Sequence, residues 1–102
     1  MDKESVLKVL AAAWSAPYEP ARSSGCGRAY VCVSGDRATV HAVSAAAKKL
    51  GILFLRKAYG TGKNAIYCGY DNADGRALGK AHAVANALKA AGLSAYDDAV
   101  AD

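Results

Sequence analysis

Two eleven-residue segments of this 102-residue chain match each other at a constant offset of 41 positions. His41-Ala42-Val43-Ser44-Ala45-Ala46-Ala47-Lys48-Lys49-Leu50-Gly51 lines up with His82-Ala83-Val84-Ala85-Asn86-Ala87-Leu88-Lys89-Ala90-Ala91-Gly92, with six of the eleven residues identical. Alanine and lysine match cheaply, so common ancestry does not follow. What does follow is a doubled strand–helix–strand unit. Each segment reads as a helix, ends in a glycine suited to the left-handed position past a helix terminus, and leads into an apolar run.

The flanking residues complete each unit. Arg28-Ala29-Tyr30-Val31-Cys32-Val33 is a strand by its β-branched and aromatic content. Ser34-Gly35-Asp36 is a turn with Asp36 placed as a helix N-cap. The following helix shows an apolar face in Val40, Val43, Ala47 and Leu50. Residues 52–59 form a second strand, Gly60-Thr61-Gly62 the turn of a hairpin, and residues 64–70 a third strand. After the polar turn Asp71-Asn72-Ala73-Asp74-Gly75 comes a helix with its face in Ala77, Ala81, Val84, Leu88 and Ala91. Residues 93–100 make a last edge strand, which their aspartates should keep short and exposed.

Upstream, residues 3–14 place Val6, Leu7, Leu10, Ala13 and Trp14 on one side of a helix. A helix this short is marginal alone, so the stripe needs a partner in this domain or a second copy, and Trp14 should be largely buried. Both prolines fall in residues 15–27, which read as a linker. The organisation is therefore an N-terminal helix (1–14), a linker (15–27) and a domain (28–102), a single domain overall by length. The fold class is α+β. The order βαββαβ resembles the ferredoxin-like split arrangement, a four-stranded antiparallel sheet in the order 4-1-3-2 with both long helices on one face.

Composition narrows the function classes. No apolar run approaches the roughly 20 residues of a membrane span. Met1-Asp2-Lys3-Glu4-Ser5 lacks the basic and apolar regions of a signal peptide, so a cytoplasmic location is expected. Cys26, Cys32 and Cys68 are odd in number and lack zinc spacing, and read as free, partly buried thiols. No metal, cofactor or catalytic residue is expected. Gly60-Thr61-Gly62-Lys63 lacks the phosphate-loop spacing and joins two strands. His41 and His82 fall on the solvent sides of their helices with no nucleophile at fixed spacing. The net charge of +4 is unevenly spread: residues 22–63 hold eight Lys and Arg against Asp36 alone. Such a patch suits nucleic acid or an acidic protein surface. Gly35-Asp36-Arg37, where a strand hands over to a helix, is a natural place for an anion.

Strand alternation sets the candidate binding face. With Val31 and Val33 toward the helices, Tyr30 and Cys32 face away. Ile66, Cys68 and Tyr70 inward puts Ala65 and Tyr67 outward, and Leu53 and Leu55 inward leaves Phe54 and Arg56 outward. Aromatics interleaved with cations are what single-stranded nucleic acid stacks on. Lys63-Asn64-Ala65-Ile66-Tyr67-Cys68-Gly69-Tyr70 resembles the third-strand octamer of the RNA recognition motif in its basic start, its aromatic at Tyr67 and its terminal aromatic at Tyr70. It departs from the octamer at Asn64, Ala65 and Ile66. Tyr30 stands where that family's first-strand hexamer offers an exposed aromatic. The basic hairpin and the aromatic sheet face, together with this resemblance, point to a non-catalytic binder of single-stranded RNA or DNA using Arg28, Tyr30, Phe54, Arg56, Lys57, Tyr59, Lys63 and Tyr67. The alternative is a dimeric protein-interaction or inhibitor module, joined through the sheet face or the N-terminal helix. Size, composition and fold are similar to those of phage and mobile-element accessory proteins, anti-CRISPR inhibitors among them. The sheet face is open to nucleic acid in one reading, and covered by the N-terminal helix or a second copy in the other.

Overall fold

In the computed structural model, which describes residues 1–21, 26–58 and 60–101, the chain runs α1 (Lys3–Ser15), β1 (Cys26–Ser34), α2 (Arg37–Lys49), β2 (Phe54–Leu55), β3 (Ala65–Asn72), α3 (Arg76–Ala90) and β4 (Ser94–Ala101). The two matched segments end in the same backbone device. Gly51 and Gly92 both take positive φ, at 74° and 94°. The Ile52 N–H then donates back to the Ala47 carbonyl at 2.8 Å, and the Leu93 N–H to the Leu88 carbonyl at 3.0 Å. This 6→1 bond is the Schellman cap. Its apolar partners, Ile52 and Leu93, are both buried. The repeat is thus a repeated helix stop, which aims the chain back along the sheet each time.

The sheet has the order β2-β3-β1-β4, antiparallel throughout. This is the ferredoxin-like order, with β1 and β3 central. Ala29, Val31 and Val33 of β1 and Ile66 of β3 meet Val43 and Ala47 of α2 and Val84 and Leu88 of α3 in one core. At the start of α2, the Asp36 carboxylate accepts the Thr39 N–H at 2.7 Å, as an N-cap should. That bond holds the Asp36 carboxyl below the usual carboxylate range. The α1 stripe finds its partner within this chain. Val6, Leu10 and Ala13 join the same core, and α1 packs against both α2 and α3. Trp14, expected to be largely buried, is half-buried. The Lys80 Nζ lies over its ring, 3.8 Å from the centroid.

Three strand details differ from the sequence expectation. β4 is not short: all eight of its residues pair with β1. β2 shrinks to two paired residues and its faces are exchanged. Phe54 lies opposite Ile66 and packs toward the helices, Leu55 lies opposite Ala65 on the other face, and Leu53 is 55% exposed. β3 carries an irregularity opposite Ala29 and Tyr30, whose partners are Gly69 and Tyr67, so Cys68 is an extra residue. Such a bulge reverses which side chains face which way beyond it. Tyr70, expected to face the helices, turns to the opposite face at 47% exposure. Asp71 turns inward instead, where its carboxylate accepts the Ala77 and Leu78 N–H groups at 2.7 and 2.9 Å. A buried carboxylate so bonded satisfies donors that the start of α3 would otherwise leave orphaned.

Residues 16–21 pass directly over the start of α3. The Ala21 N–H donates to the Gly75 carbonyl at 2.9 Å. A Cβ at Gly79 would overlap the Glu19 carbonyl oxygen, and one at Gly75 the Ala21 carbonyl oxygen. Glycine at 79 therefore exists for close approach, in the interior of a helix where alanine is ordinarily better by about 1 kcal/mol. Gly79→Ala should reverse that ordinary sign and cost about 1–3 kcal/mol in urea unfolding, as overpacking does. A Gly79→Ala protein as stable as the parent would mean that residues 16–21 do not rest on α3.

Candidate functional site

The sheet face opposite the helices carries Arg28, Tyr30 and Cys32 from β1, and Tyr67 and Tyr70 from β3. β4 contributes Tyr96, Asp98 and Val100, the residues opposite Cys32, Tyr30 and Arg28. α1 does not close it, because that helix packs on the other side against α2 and α3. The hairpin between β2 and β3 folds back across it. Ala58 is buried against Tyr30, Cys32 and Ala65, with Val100 packed on the same cluster. Gly60 approaches Val100 so closely that a Cβ there would overlap the valine side chain. The hairpin holds its own shape: the Ala58 N–H donates to the Lys63 carbonyl at 2.8 Å, and the Thr61 hydroxyl to the Ala58 carbonyl at 3.0 Å.

This covering changes the expected site. Tyr30 is only 2% exposed and cannot take a base in this conformation. Its ring leans on Tyr67, with centroids 5.7 Å apart and planes 58° from parallel. Tyr67 itself is half-buried, so it keeps some ring surface at the edge of the covered region. Phe54 leaves the face altogether, for the register reason given above. Tyr59 lies outside the described residues. Arg28 does belong to the face, half-buried and opposite Tyr70. Arg56, Lys57 and Lys63 are exposed, as solvated cations should be. Two face aromatics were missed: Tyr70, hidden by the bulge, and Tyr96, which strand alternation from Cys32 would have found once β4 was paired.

A second feature lies at the other edge of the hairpin. Gly35, Arg37, Val40, His41, Ser44, Phe54, Arg56, Lys57 and Asn64 line a cleft of about 640 Å³. Arg37, Val40, His41 and Ser44 follow the i, i+3, i+4, i+7 spacing of one helix face. That face of α2 overhangs β2, where the backbone leaves the sheet after Leu55 and turns through Lys57 at φ 47°. Among the described residues, no carboxylate lines the cleft or pairs with Arg37, Arg56 or Lys57. Asn64, which the linear order sets across the hairpin from Arg37, shares its cleft.

The thiols differ by surroundings. Cys26 is exposed and donates to the Asn72 side-chain oxygen at 3.2 Å. Burial pushes the Cys32 thiol above its ordinary range, and pushes Cys68 up to about 12. The Tyr96 hydroxyl is raised as well, chiefly by its hydrogen bond with Cys32. His82 and Asp97 approach at 3.5 Å on the surface. No group of three His, Cys, Asp or Glu gathers as a metal site among the described residues. Among the described residues, no helix is long and apolar enough to cross a membrane. No protein-family model, curated protein or solved structure matches this chain.

Alkylation at neutral pH should therefore modify the exposed Cys26 and leave Cys32 and Cys68 protected in the native protein. Cys68 also links stability to pH. The folded state holds its proton to about pH 12, whereas its ordinary value is about 9. Above pH 9 the unfolded chain binds fewer protons at this site, so stability falls as pH rises. The urea midpoint should drop between pH 8.5 and 10.5, and drop less in Cys68→Ala.

Proposed function

We propose that this protein is a non-catalytic module that binds single-stranded nucleic acid through the basic hairpin and the rim of the sheet face. The observation that carries the reading is the hairpin itself. Arg56, Lys57 and Lys63 stand exposed around a short tip that is anchored by Ala58 and Gly60 on the sheet. Anchoring lowers the entropy lost when the cations engage phosphates, and the cations displace condensed counterions on contact. Arg28 extends the positive track along the face, and Tyr67 offers part of a ring beside it. Tyr30 acts from below: it supports Tyr67 and seats the hairpin, and it touches no base. Sequence preference should therefore be weak and salt dependence strong. The +7 balance of residues 22–63 is consistent with this class of partner.

An inhibitor or dimer module has less to build on. The α1 stripe is spent inside the monomer core and the hairpin already covers the middle of the sheet face. An acidic protein surface remains the competing partner, because it answers to the same cations.

Fluorescence anisotropy with single-stranded oligonucleotides across a salt series tests the proposal. Replacing Arg56, Lys57 and Lys63 together by Ala should flatten the log-affinity against log-salt slope by roughly 2 units. Tyr67→Ala should weaken binding while leaving the slope nearly unchanged. Tyr30→Ala should instead destabilise the fold by about 3 kcal/mol or more, as loss of a large buried side chain does. Absence of binding to both RNA and DNA at low salt would turn the reading toward an acidic protein.

A further inference from the structure

We infer that the cleft between α2 and β2 is a binding site for a phosphomonoester, either the terminal phosphate of a strand or the phosphate of a mononucleotide. The strand end as a source rests on the function proposed above; the mononucleotide does not. Four observations converge. The cleft, at about 640 Å³, has the size of a small-molecule site. Its cations come from two separate places, Arg37 on α2 and Arg56 and Lys57 past the end of β2, and they line one cavity together with the His41 imidazole. Ser44 and Asn64 add a hydroxyl and an amide to the same walls. Val40 and the half-buried Phe54 supply an apolar part that suits a sugar or base.

The arrangement favours a chain end over a chain interior. An internal phosphodiester carries one charge and must run through its site, which calls for a track of cations. A phosphomonoester carries about two charges at neutral pH on three oxygens at one point. Cations gathered around a single cavity, with no carboxylate among the described lining residues, match the second pattern. Arg37 and Arg56 can each meet two phosphate oxygens with a planar fork, and Lys57 adds a point charge. The amino end of α2 is capped by its own chain, the Asp36 carboxylate accepting the Thr39 N–H.

The test compares otherwise identical single strands bearing a 5′-phosphate, a 3′-phosphate or hydroxyls at both ends, with AMP and inorganic phosphate as competitors. A phosphorylated end should bind about tenfold tighter than the hydroxyl form, the factor that one charge-assisted hydrogen bond supplies. Arg37→Ala should erase that difference, and AMP should compete for the phosphorylated strand. Backbone amide signals of Arg37, His41 and Ser44 should shift on adding AMP alone. Equal affinities for all three strands, with no amide shifts from millimolar AMP or phosphate, would overturn the inference and leave the proposed function standing. Amide shifts from AMP with no binding of any strand would do the reverse. They would support a mononucleotide site and remove the nucleic-acid reading.

Discussion

Everything in this fold is arranged around a central strand that is buried on both sides. Five consecutive residues of β1, from Ala29 through Val33, are inaccessible to solvent. An antiparallel sheet with one wet face alternates buried and exposed positions; this one does not alternate at its centre. Such a strand needs cover above and below. The helices provide it on one side with a core of valine, leucine and alanine. The hairpin between β2 and β3 provides it on the other, its described residues Ala58 and Gly60 lying against Tyr30, Cys32 and Val100. Because the hairpin must reach across to β1 and β4, it leaves the sheet early. That early departure is why β2 has only two paired residues and why Arg56 and Lys57 end at the mouth of a cleft.

Much of the fold was legible. The strand–helix–strand doubling, the glycine stops and the sheet order follow from local signals that tertiary contacts had no reason to override. Even the second cover was written in Ala29-Tyr30-Val31-Cys32-Val33, an unbroken apolar run that an exposed face would not require. Strict alternation hid it, because alternation assigns Tyr30 and Cys32 a direction without saying what lies beyond them. The faces of β2 and the outer half of β3 were not legible. Their side chains are set by register and by one extra residue, and neither leaves a composition signature. The path of residues 16–21 over α3 had a faint signal in Gly79, a glycine inside an otherwise alanine-rich helix.

The candidate site was legible in charge and not in shape. The excess of cations between residues 22 and 63 was plain, and Arg56, Lys57 and Lys63 are as exposed as such residues must be. Which aromatics share their surface depended on the covering hairpin, so Tyr30 and Phe54 drop out while Tyr70 and Tyr96 enter. The cleft draws on α2, on the turn after β2 and on the residue before β3. Of its α2 wall, helical spacing places only His41 on the solvent side of the helix and assigns Val40 to the apolar face. Its opposite wall was set by a chain reversal that periodicity does not report.

The extra residue in β3 also sets what kinds of change this protein can survive over evolutionary drift. Loops ordinarily gain and lose residues freely, and strands lose them rarely. Here the distinction falls inside a single hairpin. A residue added at its tip, near Gly62, where the chain borders open space, would leave the register of β3 intact. A residue lost at Cys68 would swing Tyr70 into the core and withdraw the Asp71 carboxylate from the two α3 amides it now holds. The bulge thus acts as a spacer between the sheet and the second half of the fold. Divergent versions of this domain should vary in length at the hairpin tip and keep a constant count from Ala65 to Asp71.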